Sequence, residues 1–499
     1  MKKWKWLHRW FSLVLGFFLI LWAVSGIVLN HRELVSSVEV DRKLLPSEYH
    51  FENWNNAAVR SGLELDSGTM LLYGNIGIWL TDTTFSYYTP FMDGFPKGVD
   101  NARTMKLLRS DAGQLFAATQ SGLYVKSSND ALWNNIPLPH HDARIMDMTL
   151  KNDSLFVVDR SNIYIFKFQP QVALLSKIQL LPAFNDDNKI GLFRTLWVIH
   201  SGEVLGFAGK LLVDFLALVL IFLIVTGYIY FFFPRWIKRR KKHQMAVSKH
   251  VATTKFSVKW HNKIGIWIGG FLILTVFTGM FLRPPLLITI AQARVAKIPG
   301  TILNHPNVWH DRLRALVFDA TSGGWMLGTN DGIFSVNAKF SQKPQPIGAT
   351  PPLSVMGINV FEPLENGYFL IGSFNGLFLW EPNSGFVRDF ITGQTPQVRS
   401  SAGSPIGQHL ISGMFKMNGK SYIFEYNQGL LSEKMDMPQT IENTPMPLWN
   451  VALEVHTARI FQSTIGAFYL LIIPLLGLMT LLILISGILI YLKKRKKMR

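Results

Sequence analysis

Four stretches of the chain are almost continuously apolar: Trp10 to Leu29, about Leu211 to Phe233, Ile264 to Leu282, and Phe468 to Leu492. Each approaches the ~20 residues that a helix needs to cross ~30 Å of hydrocarbon, so four transmembrane helices are predicted. The second carries Lys210 and Asp214 near one end. Between the first and second runs, and again between the third and fourth, the pattern changes to short apolar segments separated by polar turns, the signature of β-hairpins.

These hairpin signals recur. Gly74-Asn75-Ile76-Gly77, Gln120-Ser121-Gly122 and Arg160-Ser161-Asn162 punctuate the first long loop; Asn330-Asp331-Gly332, Phe374-Asn375-Gly376 and Asn427-Gln428-Gly429 punctuate the second. The turn residues fall at 77, 122, 162, 332, 376 and 429, intervals that suit four-stranded propeller blades. Three units per loop predict one six-part, propeller-like all-β domain built from both loops, because closing a ring removes exposed strand edges. Two separate small β-sandwiches are the alternative. The predicted order is transmembrane helix 1 (1–31), β half 1 (32–190), helix 2 with an outward extension (191–236) and a basic loop (237–258). Helix 3 (259–285), β half 2 (286–447), helix 4 with its extension (448–492) and a basic tail (493–499) follow.

Charge orients this arrangement. Residues 1–9, 235–263 and 493–499 hold twenty of the fifty Lys and Arg residues and no Asp or Glu. Short basic segments stay on the cytoplasmic side, so both termini and the central loop are expected there, with the β domain outside. The remaining thirty basic residues face thirty-two acidic ones, so the formal charge of +18 is a topology signal and no nucleic-acid partner is expected. The first helix is read as an anchor, because its apolar run is full length and no small-x-small cleavage site follows it. The absence of cysteine excludes disulfides and covalently attached c-type haem.

The first and third helices match at a constant offset of 253: His8, Gly16 and Ser25-Gly26 correspond to His261, Gly269 and Thr278-Gly279. The second and fourth correspond more loosely, through His200 and Thr226-Gly227 against His456 and Ser486-Gly487. The four helices therefore read as two tandem repeats. His8 and His261 form an equivalent pair at the cytoplasmic end, His200 and His456 at the outer end. A haem with two axial ligands requires one imidazole from each of two facing helices, so two b-type haems are expected, one near each membrane face. His31 is a reserve ligand for the outer one. Gly26 and Gly279 lie five turns from His8 and His261, as notches that could admit a macrocycle or simply pack helices. His200 and His456 precede their apolar runs by so much that helical extensions under the outer domain, or breaks near Gly206, Gly209 and Gly466, are required. Zinc is disfavoured, since no compact Cys/His cluster occurs. His50, His140, His141, His243, His250, His305, His310 and His409 read as solvated loop residues, with His140-His141 a minor candidate for exogenous iron or copper.

The runs Trp6-Leu7-His8-Arg9-Trp10, Leu29-Asn30-His31-Arg32, Val198-Ile199-His200, Trp260-His261 and the Ser/Thr-Gly pairs resemble the PepSY-associated transmembrane helix family. That family includes bacterial inner-membrane ferrisiderophore reductases. The resemblance covers the helices and implies a di-haem b protein passing electrons outward to ferric iron in a siderophore or another periplasmic acceptor, with His8, His200, His261 and His456 as ligands. The sequence departs from the family in its outer part, where propeller repeats stand in place of a PepSY module. It names no catalytic residue and no electron donor, cytoplasmic or quinol. The competing class is a non-enzymatic, membrane-anchored propeller acting as a sensor or scaffold. A transporter is third, since the helices lack intramembrane acids beyond Asp214.

Overall fold

A computed structural model describes residues 2–66, 68–139, 144–168, 172–354, 357–396 and 407–496. The chain divides into a helical unit, formed by Met1–Val35, Asp187–His305 and Leu448–Arg499, and a β unit, formed by Ser36–Asp186 and Pro306–Pro447.

The helical unit contains α1 (Lys2–Asn30), α2 (Leu192–Ser201), α3 (Gly206–Lys242), α4 (Ser248–Met280), α5 (Leu448–His456) and α6 (Tyr469–Lys496). The segments containing α1, α3, α4 and α6 are long and apolar enough to cross a membrane, which makes this a multi-pass membrane protein. Their apolar residues point both ways, as a lipid-facing bundle requires. Leu15, Leu19, Ile224 and Ile483 pack inside one cluster and Leu216, Val219, Leu223 and Leu272 in another, while Phe17, Phe215, Trp267 and Leu478 face outward.

Of the two alternatives, extensions or breaks, the structure has breaks at Gly206 and Gly466. Gly202 is left-handed and Gly206 takes φ 64°, ψ −145°, which separates α2 from α3. Ala458 is left-handed and Gly466 takes φ 57°, ψ −144°, which separates α5 from α6. Backbone with that φ and ψ is essentially restricted to glycine. Gly209 is not itself a break: it lies inside α3, where its missing Cβ admits the carbonyl of Gly202. The segment expected as a basic loop is mostly helix, for α3 runs to Lys242 and α4 begins at Ser248. Lys and Arg are good helix formers, and Arg239, Arg240, Lys241 and Lys242 also complement the negative end of the α3 dipole.

The β unit is built of antiparallel sheets. Among the described residues, five four-stranded meanders lie within 61–90, 104–136, 147–178, 313–346 and 358–389, and a three-stranded one within 411–430. Second strands such as Thr69–Gly74 and Gly324–Thr329 are buried on both faces, which explains their unbroken apolar character. Five of the six turn positions read from the sequence are glycines with positive φ, namely Gly77, Gly122, Gly332, Gly376 and Gly429. The sixth turn is closed by Asp159, which accepts from the backbone N–H groups of Ser161 and Asn162. First strands of neighbouring sheets hydrogen-bond each other. Leu316 N–H donates to Asp147 Oδ2 at 2.9 Å, the Asn359 side chain to Ile411 O at 2.8 Å, and Met414 N–H to Arg60 O at 2.8 Å. A separate two-stranded ladder pairs Glu39–Val40 with Met446–Pro447, at the two ends of the unit.

Candidate functional site

Each of the two histidine pairs is brought together inside the helical unit. His8 on α1 and His261 on α4 have ring centroids 6.2 Å apart and nearly perpendicular planes, at 85°. His200, at the end of α2, and His456, at the end of α5, are 6.0 Å apart with planes at 54°. The two broken helices make the second pair possible: a continuous α2–α3 or α5–α6 rod would carry the imidazole well outside the bundle.

All four imidazoles are held through Nδ1 by a backbone carbonyl of another helix. His8 Nδ1 lies 2.9 Å from Ile483 O and 3.2 Å from Ser486 Oγ. His261 Nδ1 lies 3.0 Å from both Leu223 O and Thr226 Oγ1. His456 Nδ1 lies 3.1 Å from Trp22 O and 3.0 Å from Ser25 Oγ. His200 Nδ1 lies 2.8 Å from Thr275 O, a carbonyl that also accepts from the Thr278 hydroxyl at 3.0 Å. In each case the carbonyl belongs to the residue three before a Ser or Thr on another helix. A carbonyl can only accept, so Nδ1 carries the proton and the lone pair is left on Nε2. Among the described residues no hydrogen bond occupies any of these four Nε2 atoms. This is the arrangement by which a protein fixes the tautomer and orientation of a metal-binding histidine.

The glycine after each Ser or Thr completes the seat. A Cβ placed on Gly279 would stand 2.6 Å from His200 Cε1, on Gly487 3.0 Å from His8 Cε1, on Gly26 3.3 Å from His456 Cε1, and on Gly227 3.6 Å from His261 Cε1. Gly26 and Gly279 are therefore not openings for a macrocycle, as one sequence reading had them. The edge of an imidazole from another helix fills them. Gly16 serves ordinary close packing, against Tyr228.

His31, the reserve ligand, stands apart from both pairs. Its Nε2 is 2.6 Å from Asp214 Oδ2, and Asn30 donates to the other oxygen at 2.9 Å. His31, just after α1, is thus a part-buried polar contact to α3 with Nε2 engaged by the carboxylate, and it is not part of either imidazole pair. Some histidines read as solvated loop residues also differ: His250 lies on α4 with its ring 4.8 Å from Trp236, His50 donates to Leu45 O at 3.0 Å, and His310 Nδ1 is 3.2 Å from Ser161 Oγ. His140 and His141 lie outside the described residues. Sequence reasoning marked the four Ser/Thr-Gly doublets as signs of repetition and missed their function. The available signal was that every membrane helix carries one. It also missed the ion pair two residues before His456, where Arg459 Nε donates to the buried Glu454 carboxylate at 2.7 Å.

The chain is distantly similar to several solved structures. The extracellular domain of a putative one component system from B. thetaiotaomicron matches with a TM-score of 0.34 at 12% identity, over 76% of this chain and 39% of that one. An essential surface component of the type-IX secretion system of Porphyromonas gingivalis matches with a TM-score of 0.34 at 12% identity, over 74% and 37%. The computationally designed Ika8 protein matches with a TM-score of 0.31 at 8% identity, over 74% and 69%. No curated protein matches the chain. The family model for the PepSY-associated TM region matches residues 5–494, the whole length from the first membrane helix to the last, and the chain belongs to that family.

Proposed function

We propose that this protein is a transmembrane di-haem b electron-transfer protein, carrying electrons from the cytoplasmic side to ferric iron in an extracytoplasmic siderophore complex. The observation that carries the reading is the spacing of the two imidazole pairs. Two metal–imidazole bonds of ~2.0 Å, with ~1.2 Å from each nitrogen to its ring centre, separate coaxial ring centres by ~6.4 Å. The observed 6.2 and 6.0 Å match that span.

The donor set agrees with haem in kind. Each pair offers two neutral imidazoles, and among the described residues no group of three or more His, Cys, Asp or Glu gathers to hold a bare ion. Bound there, haem would supply one-electron redox chemistry. The chain's own contribution is to present Nε2 from both sides, lock each ring through Nδ1, and keep the pairs in an apolar bundle that tunes potential by burial.

Several features support the finer architecture. The 253-residue offset between helices, the nearly identical backbone of Gly206 and Gly466, and the fourfold seat around the histidines favour two tandem repeats. Six meanders whose first strands pack in succession, Ser61–Asp66 also against Ile411–Met417, favour a six-bladed propeller. The acid-free basic segments favour cytoplasmic termini and an extracytoplasmic β unit. The siderophore acceptor comes from membership of a family that includes ferrisiderophore reductases.

The test is a reduced-minus-oxidised spectrum with a haem count on purified full-length protein. Two b-type haems per chain are expected, falling to one in His8→Ala and one in His456→Ala. A chain free of haem after expression with ample haem supply overturns the reading.

A further inference from the structure

At the basic end of the bundle α1 and α3 pack side by side, with the Tyr228 hydroxyl donating to Leu13 O at 3.2 Å. Two arginines, one from each helix, converge there on a single ring. The guanidinium carbon of Arg9 lies 4.6 Å from the centre of the Phe231 ring, and that of Arg235 lies 4.6 Å from the same centre. Trp10 meets Phe231 edge-on at 5.7 Å, and Arg9 is 5.8 Å from the Trp10 ring. Phe231 is buried, while both arginines are exposed. Such contacts hold a guanidinium in place without neutralising it. No acid of these helices is near enough to do so. The chain has no Asp or Glu in residues 1–32, 215–310 or 455–499, and Asp214 of α3 lies ~32 Å along the helix from Arg235. The depth of the two cations is also defined. Arg9 directly precedes the apolar run that begins at Trp10, and Arg235 follows the one that ends at Phe233. They therefore stand where hydrocarbon gives way to water, the level of lipid phosphates, and the exposed Trp10 and Trp236 belong to the residue type enriched there.

We propose that Arg9 and Arg235 together bind the phosphate of one anionic phospholipid at the junction of α1 and α3, against Phe231 and Trp10. Each guanidinium offers a planar fork of donors that matches phosphate oxygens, and one headgroup reaches both because both lie against the same ring. The phosphate supplies the negative charge that the chain lacks at this end. Its acyl chains have the exposed Phe17 and Phe232 to run along. A solvated basic face attracts such lipids diffusely, whereas two arginines fixed on one ring make a localised site. The inference does not depend on the di-haem reading.

The experiment uses the full-length protein in a neutral detergent, supplied with phosphatidylglycerol or phosphatidylcholine, with bound lipid counted by native mass spectrometry. One phosphatidylglycerol per chain is expected to survive a wash that strips phosphatidylcholine. Arg9→Met and Arg235→Met are each expected to lower its retention about 10-fold, as loss of a hydrogen-bonded charge does, and Lys249→Met, in the same acid-free segment, to leave it unchanged. Arg9→Gln and Arg235→Gln serve if the methionine variants fail to accumulate. Full retention in the arginine variants, or an equal loss in Lys249→Met, overturns the proposal, the second by showing diffuse attraction. Displacement of the lipid by excess inorganic phosphate also overturns it, since a free anion would then suffice. Loss of the lipid from His8→Ala protein would assign the two arginines to a group held at the His8–His261 pair, and the lipid site would fall while the di-haem reading stood.

Discussion

Gly279 and His200 approach so closely that a Cβ on the glycine would stand 2.6 Å from the imidazole Cε1. Real Cβ atoms do not tolerate that separation, so Gly279→Ala must push the ring out of its seat or move α2. Overpacking of this kind costs about 1–3 kcal/mol. Gly279→Ala is expected to lower thermal stability and to yield protein with one haem. Gly227→Ala, whose Cβ would meet His261 at an ordinary 3.6 Å, is expected to keep two. Haem counts on the two variants check the ordering, and equal losses would show that the seat does not act through Cβ space.

Where a hydroxyl also meets Nδ1, as at His8, His261 and His456, the bond can be weakened without touching the ligand. Thr226→Val removes the hydroxyl 3.0 Å from His261 Nδ1 and leaves the Leu223 carbonyl in place. Outer-shell partners of metal-bound histidines are worth about 10–100-fold in affinity. We expect Thr226→Val to bind haem with an affinity lower by about 10-fold, the lower end of that range, because one of two partners survives. Transfer of haem to an apoglobin acceptor measures it, and Thr226→Ser should behave as wild type.

The legibility of these features followed the range of the interaction. The four helices were readable because crossing hydrocarbon imposes a local rule on some twenty consecutive residues. The pairing of His8 with His261 was readable because a repeat at 253 residues turns a distant relationship into a sequence offset. The seats were not, because Ser486-Gly487 serves His8 from 478 positions away and looks locally like any small-residue packing surface. The His31–Asp214 contact was hidden for the same reason, at 183 residues' separation. The basic segment read as a loop because its charge pattern reports topology and says nothing of backbone conformation.

Outside the membrane helices, Asp82 gives the β unit an acid-sensitive turn. Its carboxylate accepts from Ser86 Oγ at 2.5 Å, Ser86 N–H at 2.7 Å and Thr84 Oγ1 at 2.8 Å, and these bonds, the Ser86 hydroxyl first, hold its pKa down to about 2. A carboxyl group is near 3.9 when unfolded, so the folded form gains stability that is complete above about pH 4 and disappears as pH falls through about 2. The stability difference between wild type and Asp82→Ala should therefore be constant near neutrality and shrink on acidification across that window. Thermal melts followed by β-sheet circular dichroism test it. A difference that persists unchanged to pH 2 would remove the carboxylate from the account.

His31 and His456 stand at the same end of the bundle and are expected to respond oppositely to substitution. His31 Nε2 is held by Asp214, which is buried and has Asn30 as its other partner. Replacing His31 by Ala leaves a buried carboxylate oxygen without its donor, a loss of about 1–3 kcal/mol, and leaves the His200–His456 pair untouched. His456→Ala removes a ring whose Nε2 is open and whose Nδ1 is already bonded to Trp22 and Ser25. The expected result is a less stable His31→Ala protein with two haems and a His456→Ala protein with one. The reverse pattern, with His31→Ala losing the outer haem and His456→Ala retaining it, would mean that Asp214 orients a ligand on α1 and that the outer pair is His31 with His200.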